Sequence, residues 1–142
     1  MKKYKFLPDI AVADIAFEAY GKTLPELFVH CAEAIFVEMV DFTTVEAKEM
    51  KEFSVEGDTI EQALYNFLEE LIYLKDVEVM VFKEFKVQIV EGKPIRVHAE
   101  VKGEEINQKK HKLGNDVKAV TMHQFEVKKE KRQWVARIII DI

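Results

Sequence analysis

Trp134-Val135-Ala136-Arg137-Ile138-Ile139-Ile140-Asp141-Ile142 is the segment on which the architecture turns. Trp134, Ala136, Ile138 and Ile140 alternate with Val135, Arg137, Ile139 and Asp141. Successive side chains of a strand point to opposite faces, so this strand is apolar on both sides. A strand with two apolar faces must be covered on both, which puts it at the centre of a sheet. Upstream, Ile95, Val97, Ala99 and Val101 alternate with Arg96, His98 and Glu100, a half-buried strand. Phe85, Val87 and Ile89 alternate in the same way with Lys86 and Gln88. Val117 to Val127, Ile15 to Tyr20 and a stretch from Val45 to Val55 read as further strands.

Two segments have helical rhythm instead. Leu27, Phe28, Cys31, Ala32, Ile35, Phe36 and Met39 recur at three- and four-residue steps and share one face. Thr23 and Glu26 form a capping box in front of them, and Pro25 is tolerated in the first turn, where its missing N–H costs nothing. Ile60, Ala63, Leu64, Phe67, Leu68, Leu71 and Ile72 define a second helix, with Asp58 as its expected cap and Glu61 three residues on. The order is strand, helix, strand, helix, then a run of strands. This predicts an α+β domain: two amphipathic helices packed on a mainly antiparallel (mixed) β-sheet, one domain over residues 1–142.

The 142 residues suffice for one core without disulfide or metal support. Cys31 is the single cysteine and lies on the first helix's apolar face, so it reads as a buried structural thiol. No apolar run approaches the roughly 18 residues of a membrane span, and Asp9 and Asp14 interrupt the stretch after Lys2 and Lys3, so the expected location is cytoplasmic. The net charge of −5 argues against strong direct nucleic-acid binding. Eighteen Lys and 19 Glu against 3 Asn and 5 Gln resemble the composition of hyperthermophile proteins. Phosphate loops, nucleophile elbows and zinc motifs are absent from the sequence.

The tail carries the strongest chemical signal. Asp141 and the α-carboxylate of Ile142 are held together by the apolar strand that precedes them. Two carboxylates so close repel unless a cation lies between them, and an all-oxygen set suits Ca²⁺ or Mg²⁺. Asp14, embedded in Ile10-Ala11-Val12-Ala13-Asp14-Ile15-Ala16-Phe17, is the candidate third ligand. The other reading is a turn-capping Asp14 and a surface Asp141; the residues alone leave both open. Lys118 reads as a solvated lysine. His123 alternates with Val117, Ala119, Thr121, Phe125 and Val127, on an apolar face, where a core histidine is the usual finding. Gly103 to Asp116 has charge without apolar rhythm and reads as a long exposed loop carrying His111.

These segments resemble the archease family over essentially the whole chain. Asp14-Ile15-Ala16-Phe17-Glu18-Ala19-Tyr20-Gly21 is similar to the family's opening motif, and Leu24 to Phe36 to its first helix. Asn66 to Leu74 resembles the second-helix signature, and Gly103-Glu104 the Gly-Glu pair preceding a loop histidine, here His111. Val117-Lys118-Ala119-Val120-Thr121-Met122-His123 resembles its most specific motif, with Met122 where an aromatic is usual. Family members open on His-Thr-Ala-Asp, whereas Ala11-Val12-Ala13-Asp14 lacks the His and Thr.

The resemblance implies a non-catalytic activator of an RtcB-type RNA ligase in tRNA splicing and RNA repair. Such an activator promotes guanylation of the ligase and its multiple turnover. The alternative it implies is a chaperone or specificity modulator of a tRNA cytosine methyltransferase. It also implies a divalent cation, Ca²⁺ with Mg²⁺ or Mn²⁺ as substitutes, held by Asp14, Asp141 and the terminal carboxylate of Ile142. Lys118 and His123 are the candidate partner-contacting residues. A third class, a small metal-dependent hydrolase, lacks a clear base or nucleophile in the sequence.

Overall fold

In the computed structural model, which describes residues 2–8 and 14–142, β7 (Gln133–Asp141) is interior, as its double-faced pattern requires. It lies between β2 (Asp14–Gly21) and β6 (Ala119–Glu130), with β1 (Tyr4–Phe6) at the outer edge of β2. The sequence pattern predicts one sheet, but the strands divide into two. The second sheet has the order β3 (Glu49–Gly57), β5 (Ile95–Glu105), β4 (Met80–Val90). Every ladder among the described residues is antiparallel. Strand β1 escapes periodicity because three residues are too few to show an alternation.

Helices α1 (Leu24–Met39) and α2 (Ile60–Glu78) each pack against strands of both sheets: α1 on β2, β7 and β4, α2 on β3, β5 and β6. Each helix is thus buried by strands of both sheets. Phe28 of α1 meets Phe67 of α2 at 5.5 Å between ring centroids, and Phe67 stacks on Phe53 of β3 at 5.8 Å. Phe36 meets Phe82 and Phe85 of β4 at 5.6 and 5.5 Å. Fully burying each such ring contributes about 1.5–3 kcal/mol.

The Thr23–Glu26 capping box is present: Thr23 Oγ1 accepts from Glu26 N–H at 3.2 Å, and Glu26 Oε2 accepts from Thr23 N–H at 3.3 Å. The second cap is Thr59 rather than Asp58, its hydroxyl accepting from Gln62 N–H at 3.1 Å. Both residue types cap well, and the one whose N–H precedes the first helical turn is selected by where β3 ends. Helix α2 ends on Val79 in the left-handed conformation, φ 53°, a rare place for a β-branched residue.

The stretch Gly103 to Asp116 is less of a loop than its charge suggests. Strand β5 continues through Glu105, paired with β4 up to Met80. Gly103 is required there: a Cβ on it would lie 1.8 Å from Val81 O, where β4 bulges between Phe82 and Glu84. Cys31 is fully buried, and burial alone pushes its thiol pKa far up, as expected of a structural cysteine.

Candidate metal and partner site

Asp14 and Asp141 are direct partners in the β2–β7 ladder, and Ala119 of β6 is Asp141's partner on the other side. Partners across a ladder present their side chains on the same face. Ile138 and Ile140 belong to the helix-facing core, so Asp14 and Asp141 lie on the opposite face of the sheet. Ile142 follows Asp141 and packs against the core. The three predicted ligands are thus brought to one corner by register. Both aspartates are partly exposed, so water reaches them.

Two residues inward on the same face, Thr121 pairs with Ile139, and its buried hydroxyl has no hydrogen-bond partner among the described residues. All donors at this corner are oxygens, a set suited to a hard cation. Among the described residues no group of three or more His, Cys, Asp and Glu side chains is placed to hold a metal. A cation here would rest on two side chains and the carboxylate of Ile142. The residues Ala11, Val12 and Ala13, where the family's His and Thr are missing, lie outside the described residues.

Lys118 is exposed, and its backbone N–H donates to Asp141 O at 2.8 Å. It is anchored from below by α2. Lys75, itself buried, donates from Nζ to Asp116 Oδ1 at 2.6 Å and to Val117 O at 2.8 Å, with Asp76 Oδ1 3.0 Å away. Glu69 Oε2 accepts from Val120 N–H at 3.0 Å. So α2 holds the Val117–His123 motif through Glu69, inside the second-helix signature, and through Lys75, just after it. The helix clamps the backbone on both sides of Lys118 and sets it beside Asp141. Sequence reading missed Lys75 because its spacing, one more turn of the apolar face, resembles any amphipathic lysine.

His123 is not on an apolar face. The β6–β7 register slips between Thr121 and Glu126, and Gln124 adopts φ 54°. The bulge breaks the alternation, so His123 is exposed next to Met122, while Phe125 turns inward to meet Tyr65 at 5.9 Å. Exposure leaves His123 and Met122 available to a partner.

His111 is likewise not in an exposed loop; its side chain is fully buried. Its Nδ1 accepts from Asn107 N–H at 3.0 Å, so the ring proton resides on Nε2, which donates to Glu104 Oε2 at 3.0 Å. The histidine is therefore neutral, and this contact is a hydrogen bond to a carboxylate rather than an ion pair. The same oxygen accepts from Glu46 N–H at 2.7 Å, and Glu104 Oε1 accepts from Lys110 Nζ at 2.9 Å. The His111 hydrogen bond, then that from Glu46 N–H, holds Glu104 down to a pKa of about 2. The Gly-Glu and His motif is thus a staple. It joins the end of β5 to the segment after α1 and to the chain leading into β6.

On the outer face of the three-stranded sheet, Ser54 Oγ lies 3.0 Å from His98 Nδ1, and His98 Nε2 lies 3.9 Å from Glu52 Oε1. The residue types suggest a nucleophile and its base. Yet the His98 and Glu52 side chains are 43% and 46% exposed, on an open strand surface where solvent screens them.

Two helices clasped between antiparallel sheets, with Asp14 and Asp141 paired at one corner of the four-stranded sheet, define the class of protein as a small α+β fold. The model of the Archease protein family matches residues 4–142, so the chain belongs to the archease family. It is 39% identical to Protein archease of Pyrococcus abyssi over 92% of this chain and 93% of that protein. It is 34% identical to Protein archease of Sulfurisphaera tokodaii over the whole of both chains. Among solved structures, the solution structure of Methanobacterium thermoautotrophicum protein 1598 superposes with a TM-score of 0.88 at 35% identity, covering both chains fully. The crystal structure of an archease from Thermotoga maritima, described as a possible chaperone, gives 0.62 at 23% identity over 93% of each chain. The described residues contain no helix long and apolar enough to cross a membrane.

Proposed function

We propose that this chain is a non-catalytic activator of an RtcB-type RNA ligase, acting from the corner formed by Asp14, Asp141 and Ile142. One observation carries the reading: residues from opposite ends of the chain, Asp14 and Asp141, are direct ladder partners, with Lys118 N–H on Asp141 O. A binding module with a rigid acidic corner fits a basic, RNA-handling enzyme, because complementary charge speeds encounter and orients it. A divalent cation, Ca²⁺ with Mg²⁺ or Mn²⁺ as substitutes, would offset the repulsion of the two aspartates and the Ile142 carboxylate and stiffen the corner. The exposed Met122 and His123 of the neighbouring strand extend the docking surface, and Lys118 supplies a positive charge beside the acidic groups. Bound at the ligase active site, this corner would favour the state that accepts a new guanylate.

The test is multiple-turnover RNA ligation with GTP and divalent metal, using an active cognate ligase and a small amount of this protein. A rise in turnover that disappears with Asp14→Ala and Asp141→Ala supports the reading. No rise with the parent chain refutes it.

A second reading is a chaperone or specificity modulator of a tRNA cytosine methyltransferase. The Thermotoga maritima archease is described as a possible chaperone, and α2 of this chain exposes Tyr73 and Val77, one turn apart and more than half accessible. Suppression of methyltransferase aggregation that survives Asp141→Ala but fails with Tyr73→Ser separates it from the first.

A further inference from the structure

The other end of β7 carries the opposite charge. Where β6 turns into β7, Lys22, Lys131 and Arg132, with Glu130 and Gln133, line an open cleft of about 820 Å³. Glu130 is held by Lys128 at 2.9 Å, which also reaches Glu126 at 3.4 Å. Lys22, Lys129, Lys131 and Arg132 form no ion pair with any described residue.

Two further observations point to a ligand. Lys131 occupies the left-handed region, φ 51°, in the two-residue turn between the paired Glu130 and Gln133. Glycine or asparagine would hold that conformation with less strain, so the turn presents a lysine at a backbone cost. Following the cleft's Gln133, Trp134, the only tryptophan of the chain, packs on the core but stays partly exposed, with Lys129 Nζ 5.5 Å from its ring centroid and glycine, Gly21, as its other ladder partner. Unpaired cations beside an aromatic ring are the elements that hold phosphates and stack a base. An acidic peptide would use the cations but not the ring.

We infer that this cleft binds the backbone of a single-stranded nucleic acid, with a base against Trp134, independently of the ligase reading. The negative total charge averages over the site and makes the binding weak and strongly salt-dependent. If Lys22, Lys131 and Arg132 each neutralise one phosphate, affinity should fall about twentyfold between about 50 and about 200 mM salt.

Trp134 makes the test direct. A short oligouridylate is titrated into the full chain at low salt while tryptophan emission is followed. Saturable quenching is expected, with the stated salt dependence. Lys131→Gly with Arg132→Ser should weaken it at least tenfold, and Lys131→Gly should at the same time raise thermal stability by relieving the turn. Lys22→Ser, on another element, should weaken it severalfold, and Asp141→Ala should not. No emission change at low salt overturns the inference. So does unchanged affinity in the double variant, or equal quenching by polyglutamate, which would mark the cleft as a site for acidic protein segments.

Discussion

His111 Nε2 donates to Glu104 Oε2 at 3.0 Å while Asn107 N–H holds His111 Nδ1, so a neutral histidine serves a buried carboxylate. Removing the ring in His111→Ala takes a donor from the carboxylate and an acceptor from Asn107 N–H. A loss of about 2–3 kcal/mol is expected, read as a lower denaturant midpoint with an unchanged slope. A midpoint equal to the parent's would refute the staple.

The same carboxylate sets an acid limb. Glu104 has a folded pKa of about 2 against an ordinary 4.5, so its ionised form favours folding. That stabilisation is complete above pH 4.5 and is lost as pH falls from there towards 2. Thermal unfolding followed across this range should fall less steeply in Glu104→Gln than in the parent. Parallel curves would contradict the assignment.

Asp14 and Asp141, as ladder partners, should respond to cations as a pair. Ca²⁺ at about a hundred times its Kd should stabilise the parent by about 2.7 kcal/mol, and a chelator should reverse this. Asp141→Asn should abolish the Ca²⁺ effect while slightly stabilising the metal-free chain, because one of two repelling charges is gone. A Ca²⁺-induced rise in Tm that persists in Asp141→Asn would place the cation elsewhere.

Val79 closes α2 at φ 53° and is 55% exposed. It therefore bears left-handed strain and returns little burial. Val79→Gly should stabilise by about 1 kcal/mol, a Tm gain of a few degrees. Gly103→Ala tests the converse. Its Cβ would meet Val81 O at 1.8 Å, so β4 and β5 must separate, at about 3 kcal/mol.

Lys75 tests the clamp beneath Lys118. Lys75→Met keeps the stem's packing and removes the donor, leaving Val117 O unpaired in a buried position. A cost of about 1–3 kcal/mol is expected. Faster amide exchange at Lys118 and Val120 should accompany it, because the clamp holds that backbone. Protection equal to the parent's would show that β7 alone positions Lys118.

Much of this protein arises from local pattern. The two helices, the Thr23–Glu26 box, the buried Cys31 and the interior place of β7 all form within a few turns or one strand, where periodicity and cap chemistry operate. The misreadings share a cause. The alternation through Val117 to Val127 carried His123 to the wrong face because His123 falls inside a bulge, between Thr121 on the outer face and Phe125 on the inner one. The charges of Gly103 to Asp116 suggested solvent, yet Glu104 and His111 satisfy one another and are buried together. Charge excludes a residue from the interior only when its partners are absent.

Local sequence settles which segments form helices and strands, that β7 must be covered on both faces, and that Asp141 ends an anchored strand. Three further features come from long-range packing alone: the strands of the described residues divide into two sheets, Asp14 becomes Asp141's ladder partner, and α2 holds the backbone around Lys118. The difference is one of range. Periodicity and capping are governed by neighbours along the chain. Register between distant strands is governed by how both apolar helices are buried at once.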